Sequence, residues 1–341
     1  MGIPNSVLST TLQILRDRLI DNSFISHPLF RAMDAAGNVK RVSGGQRIEQ
    51  PVILGKHSSV TNLSNGYEPV SLAVTDPFRK AIFEWSTFTA PVVMTDVEQL
   101  ANKGELAIVP ILESKVKNVM IDLKQQMSER IFVGGGAIPA PLQTLNGMGS
   151  ASLAADTTGW FESAAFGSQT ANSVGGLSKN AYKNDNWQNQ VKNSGAAFDI
   201  NHLDELSIAC SLYHPQGKRP DICFLSQKAY AKFLSQVTDL TRFINVSDQK
   251  SLSNDMAAEW RGMKIYVDPR LGFANAAGVP VSGYVISSDM MEMYFDTDAE
   301  FQLGEMVPVP GTATYAARAL VRTNLITGSL ATHGVLLNAE A

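Results

Sequence analysis

The chain of 341 residues carries 28 basic and 32 acidic side chains for a net charge of −4, and charged residues make up only 18% of it. It contains no run of Lys or Arg able to neutralise a row of phosphates, so tight nucleic-acid binding is not encoded, although a protein that merely surrounds nucleic acid needs no such patch. The length exceeds one usual compact core and predicts two packed units or one elongated body. The low charge fraction fits extensive subunit contact, because interface cores are depleted in charge.

Cys210 and Cys223 sit in apolar contexts and read as buried free thiols of a reducing compartment. The N-terminal residues lack the basic and apolar regions of a secretory signal and the hydroxyl that a myristoylation pattern wants, and no apolar run is long enough to span a membrane.

In chain order, residues Ser9–Ile20 predict a short amphipathic helix with Leu12, Leu15 and Leu19 on one face. Residues Asp21–Phe30 read as an extended, aromatic-bearing connector containing Phe24 and Phe30, with no core of its own. Two extended strands follow, Gln46–Leu54 and Phe78–Val93, around a polar tip at Gly55–Pro77 that is long for a hairpin loop. In the second strand Ala81, Phe83, Trp85 and Thr87 alternate with Ile82, Glu84, Ser86 and Phe88, and both faces mix apolar and polar residues. An isolated hairpin is marginal in water, so this arm is expected to rest on something outside its own domain.

Thr95 and Glu98 have the spacing of a capping box, starting a short helix that ends near Asn102–Gly104. A long helix is predicted from Ile108 to Phe132, roughly 37 Å at 1.5 Å per residue. Its stripe of Ile108, Leu112, Val116, Val119, Leu123, Met127 and Ile131 reads as core. Gly134–Gly136 stop that helix and open a loop-rich stretch to about Gly195 with isolated Trp160, Phe161 and Trp187. From Asn201 the texture becomes α/β: helices at Leu203–Tyr213 and Gln227–Val237, and strands at Asp221–Leu225, Met263–Val267, Gly283–Ile286 and Met291–Phe295. The segment Thr314–Leu337 is extended and expected to return to the long helix.

No motif for chemistry stands out. Gly134–Gly136 follow a helix, the wrong order for a phosphate cradle. The histidines, His27, His57, His202, His214 and His333, have no metal-ligand spacing. The alternating carboxylates Asp296, Asp298 and Glu300 could chelate a hard cation but lack the glycine and distal Glu of a calcium loop, and read as a solvated strand end.

Taken in order, these parts resemble the major capsid proteins of tailed bacteriophages, the Hong Kong 97-like fold. The resemblance rests on Asp21–Phe30, Gly37–Gly45, Glu84–Trp85, Ala90–Val93, Glu98–Gly104, Gly175–Tyr182 with Trp187, and Arg219–Ser226. It implies an α+β chain: an N-terminal arm (1–42), an extended β-hairpin arm (43–94), a peripheral domain with the spine helix (95–135), a loop-rich segment (136–195), an axial domain (196–312) and returning peripheral strands (313–341). It further implies hexamers and pentamers tiling an icosahedral head around packaged double-stranded DNA, without sequence-specific binding, a membrane, a cofactor or catalysis. A separate scaffolding protein, a portal and decoration proteins would be partners, with assembly in the host cytoplasm. On this reading Lys56, His57, Tyr67, Phe83 and Trp85 of the hairpin arm, and Leu12, Leu15, Phe24 and Phe30 of the N-terminal arm, meet neighbouring subunits. The alternatives are an encapsulin-type compartment of the same fold and an α/β enzyme with a dimerisation arm, using Asp296, Asp298 and Glu300.

Overall fold

A computed structural model describes residues 28–55, 60, 62, 66, 76–101, 111–132, 160–170, 173–195, 197–241, 258–269, 271–272 and 280–339. In chain order these form α1 (Pro28–Ala35), β1 (Val39–Val42), β2 (Arg47–Ile53), β3 (Phe78–Glu84), β4 (Ser86–Thr95), α2 (Asp96–Ala101) and α3 (Ile111–Phe132). There follow β5 (Ser173–Val174), β6 (Leu177–Ser178), β7 (Gln190–Asn193), α4 (Ile200–Leu212), β8 (Ile222–Leu225) and α5 (Gln227–Thr241). The last elements are β9 (Ala258–Trp260), β10 (Met263–Val267), β11 (Val281–Ile286), β12 (Met291–Asp296), β13 (Gln302–Leu303), β14 (Val307–Pro308), β15 (Thr314–Thr327) and β16 (Gly334–Leu337).

Two six-stranded sheets organise the chain. In the first, β15 is the spine: β4 pairs along one edge, while β12, β13 and β14 take turns on the other, with β1 parallel to β12 outside. The second runs β7-β16-β11-β8-β10-β9. Its central strands β8, β11 and β16 are buried at every residue, as expected of strands covered on both faces. Their alternation sorts the two sides. Cys223, Leu225, Val285 and Leu336 pack with Leu203, Leu206 and Cys210 of α4 and Ala229 and Phe233 of α5. Ile222, Phe224, Tyr284, Ile286, Val335 and Leu337 face the other way, into one large core with Met293, Val321 and Leu325 of the first sheet.

Several expectations change here. Residues Pro28–Ala35 are helical, with Pro28 opening the first turn and Leu29, Ala32 and Met33 buried on one face. The strand expected over Phe78–Val93 breaks at Trp85: β3 pairs with β2 in the arm, and β4 joins the first sheet. The buried parity switches across the break, from Ala81 and Phe83 to Ser86 and Val92. Strand β12 falls within the range expected for an axial domain yet pairs with β15, whereas β7 and β16, from the loop-rich and returning ranges, enter the second sheet. The long helix is described from Ile111, so Ile108 lies outside the described residues.

Candidate assembly surface

The hairpin arm has two unlike faces. Inward, Val52, Leu54, Ala81 and Phe83 are 7%, 5%, 0% and 3% exposed and belong to the large core. Gly175, at the turn between β5 and β6, permits this contact. Its φ is +58°, its carbonyl accepts from Ile82 N at 2.9 Å, and a Cβ there would lie 2.7 Å from the Ala81 methyl. The arm therefore rests first on its own chain. Outward, Ile53 and Phe78 are cross-strand partners, 68% and 64% exposed, and Glu49 pairs with Lys80 at 2.7 Å.

The arm's root is fixed by Arg322. Its guanidinium lies 5.0 Å from the centroid of the Trp85 ring, its Nη1 donates to Asp296 Oδ2 at 2.8 Å, and its Nη2 donates to Gly45 O at 3.1 Å. Burial works to raise the Asp296 carboxyl, but the amides of Asp298 and Gly44 together with Arg322 outweigh it and hold the pKa below the usual range. Asn324, wholly buried, donates to Glu84 O at 2.9 Å on the other side of the break. The acidic cluster is thus already engaged: Asp296 with Arg322, Glu300 with Arg41 at 2.6 and 2.7 Å, and Asp298 with Ser43 at 3.1 Å.

Beyond the root, the capping box closes reciprocally, with Thr95 N donating to Glu98 Oε2 at 3.1 Å and Glu98 N to Thr95 Oγ1 at 3.2 Å. Lys115 of α3 reaches Glu98 at 2.7 Å and Val93 O at 3.1 Å, joining β4, α2 and α3, and its hydrogen bond is the main reason the Glu98 pKa is lowered. A second outward apolar set lies on α4, where Ile208 and Leu212 are 42% and 77% exposed on the face opposite the buried Leu203, Leu206 and Cys210.

The residues expected to meet neighbours are placed as follows. Phe83 is covered by its own chain, a correction that follows from its inward parity, and Trp85 is half-buried at the root with no acceptor for its Nε1 among the described residues. Phe30 lies in α1, its side chain outside the described residues. Lys56, His57, Tyr67, Leu12, Leu15 and Phe24 also lie outside them. On α3, Leu123 and Met127 are 4% and 0% exposed, Val116 and Val119 are half-buried, and the side chains of Leu112 and Ile131 lie outside the description. Sequence reasoning missed Ile53 and Phe78 as the arm's outward pair, although their alternation with Val52 and Arg79 was readable. It also missed Arg322, for which no local signal exists.

The described part of the loop-rich stretch is held by side chains in place of long ladders. Gln169 Nε2 donates to Asn189 O at 2.7 Å while Asn189 N donates to Gln169 Oε1 at 3.1 Å, and Gln188 Nε2 reaches Gln169 O and Lys179 O at 2.8 and 3.2 Å. Trp160 stacks on His333, ring centroids 5.5 Å apart. His333 sits where the chain crosses between sheets twice: its Nδ1 accepts from Ser287 N at 3.3 Å, and its Nε2 lies 3.0 Å from Thr327 Oγ1. Burial first, and His214 second, lower its pKa to about 3. Burial likewise pushes the thiols of Cys210 and Cys223 up, so neither is a ready nucleophile.

No family profile matches this chain, and no curated protein matches it in sequence. Solved structures do match, end to end. The capsid protein of cyanophage A-1(L) aligns over 99% of each chain with a TM-score of 0.62 at 12% identity. This is a phage-capsid fold. The capsid protein of Myoviridae phage XM1 aligns with it over 98% of this chain and 99% of its own, with a TM-score of 0.60 at 10% identity. The encapsulin SrpI of Synechococcus elongatus, solved as a holo complex, aligns over 100% of this chain and 97% of its own, with a TM-score of 0.58 at 9% identity. Phage capsids and an encapsulin thus share the fold seen here.

Proposed function

We propose that this chain is the major capsid protein of a tailed bacteriophage, assembling as hexamers and pentamers into an icosahedral head around packaged double-stranded DNA. The observation that carries the reading is the capsid fold from end to end, with phage shells matched over nearly the whole length of both chains. The apolar surfaces on the arm and on α4 are its physical complement, since each needs cover that the described residues do not supply. Copies of the chain are the principal partners. Scaffolding, portal and decoration proteins act as separate chains, the product is the virion capsid, and assembly takes place in the host cytoplasm. The role is structural, with no catalytic residue or cofactor. A net charge of −4 suits a container, because a strongly cationic wall would hold DNA and obstruct its entry.

A second reading, an encapsulin-type compartment, is favoured by the comparable likeness to SrpI. Electron microscopy of purified particles with nuclease-protected nucleic acid measured in the same fractions separates the two. Protected double-stranded DNA supports the phage head. Particles without nucleic acid that retain a protein cargo support the compartment.

A further inference from the structure

Lys179 is an amine with no access to water. Its Nζ lies 2.6 Å from Trp160 O, 3.0 Å from Asn189 Oδ1 and 3.7 Å from Glu162 Oε1. Asn189 is also wholly buried. Its Oδ1 accepts from the Glu162 amide at 3.0 Å, and its Nδ2 donates to the carbonyls of Glu162 and Gln190 at 3.3 and 3.2 Å. Amine, carboxamide and carboxylate therefore meet in one buried cluster beside the Trp160 carbonyl.

Each group is prepared for one reaction. Burial lowers Lys179 to about 7, against a partial counter-pull from Glu162, so near neutral pH an appreciable share of the amine is unprotonated and nucleophilic. The Glu162 N–H on Oδ1 polarises the Asn189 carbonyl and is placed to hold the negative charge that attack would build there. The Glu162 carboxylate lies 3.7 Å from Nζ, so a small side-chain movement brings it into proton-transfer reach. Holding the partners in one cage removes most of the entropic cost of bringing them together.

We propose that Lys179 and Asn189 join in an intrachain amide bond, with Glu162 carrying the proton. Rotation about Cε–Nζ takes the amine N–H off Oδ1 and turns the lone pair of the unprotonated amine towards Cγ, while the Glu162 N–H stays on Oδ1. Nζ then bonds to Cγ and its proton passes to the Glu162 carboxylate. The proton moves on to Nδ2 as the Cγ–Nδ2 bond breaks, and ammonia leaves. One C–N bond replaces another, so no oxidant or reductant is required. The bond joins no subunits; it closes the residue 160–190 knot inside a single chain, and it holds or fails independently of shell assembly.

Intact-mass spectrometry of the purified, denatured chain tests this. The expected result is a mass lower than the sequence by about 17 Da, one ammonia, with proteolytic peptides joined through Lys179 and Asn189. Lys179→Met and Asn189→Ala are each expected to restore the full mass. Glu162→Gln, checked for folding by circular dichroism, is expected to retain it. A full sequence mass in folded wild-type protein overturns the proposal. So does a loss that maps to the succinimide-prone pairs Asn65–Gly66 or Asn146–Gly147. An undiminished loss in Glu162→Gln overturns the role given to the carboxylate.

Discussion

Arg322 lies over the ring of Trp85, 5.0 Å from its centroid, at the residue where β3 ends and β4 begins. One cation thereby ties the arm's root to β15, to Asp296 at the end of β12 and to the chain leaving β1 through Gly45. Replacing it with Ala leaves the buried Asp296 without its guanidinium partner. Arg322→Ala is expected to lower stability by roughly 2 kcal/mol, the scale of a lost hydrogen bond to a charged group. Arg322→Lys should fall between, keeping a charge near Asp296 but losing the guanidinium contact over the Trp85 ring. Denaturant titration reads both.

Thr95→Ala removes the hydroxyl that accepts from Glu98 N and is expected to cost about 1 kcal/mol, with Thr95→Ser close to wild type. The same titration checks it.

Gly175→Ala places a methyl against Ala81 on a backbone at φ +58°. Both effects oppose the variant, and a loss of roughly 2 kcal/mol is expected. Its signature is local: proteolysis within the hairpin arm should accelerate while the second sheet stays protected.

The fold was legible wherever its cause was local. Met263–Val267 alternates cleanly and forms β10 with those bounds, and the Thr95–Glu98 spacing closes as written. Pro28 with Leu29, Ala32 and Met33 has the spacing of a helix, although Asp21–Phe30 reads in sequence as an extended connector. What stayed hidden has distant causes. The polar strand Val39–Val42 exists because β12 lies beside it, pairing Val39 with Met293. The break at Trp85 and the inward turn of Phe83 depend on Arg322, Asn324 and the Gly175 turn. The knot around Lys179 is made by Gln, Asn and Glu side chains, whose spacing carries no period to read.

His333 supplies a pH dependence. Its pKa is lowered from 6.5 to about 3 in the fold, so the unfolded chain binds a proton first as the medium is acidified. The group's contribution is complete above the unfolded value and is lost as pH falls from 6.5 towards 3. Protonation puts a hydrogen on the Nδ1 that accepts from Ser287 N. Denaturant midpoints measured between pH 7 and pH 4 are expected to drop in the wild type, and His333→Gln should flatten that slope even if its stability at neutral pH is lower.

The central claim is that the outward apolar surfaces exist to be covered by other copies of this chain. Sedimentation velocity of the purified protein, wild type beside the double variant Ile53→Ser and Phe78→Ser, tests it most directly. The account predicts wild-type material sedimenting as capsomers or megadalton particles, and a folded variant that shifts to smaller species. A wild-type chain that remains a stable monomer of 36.9 kDa across concentration would contradict it.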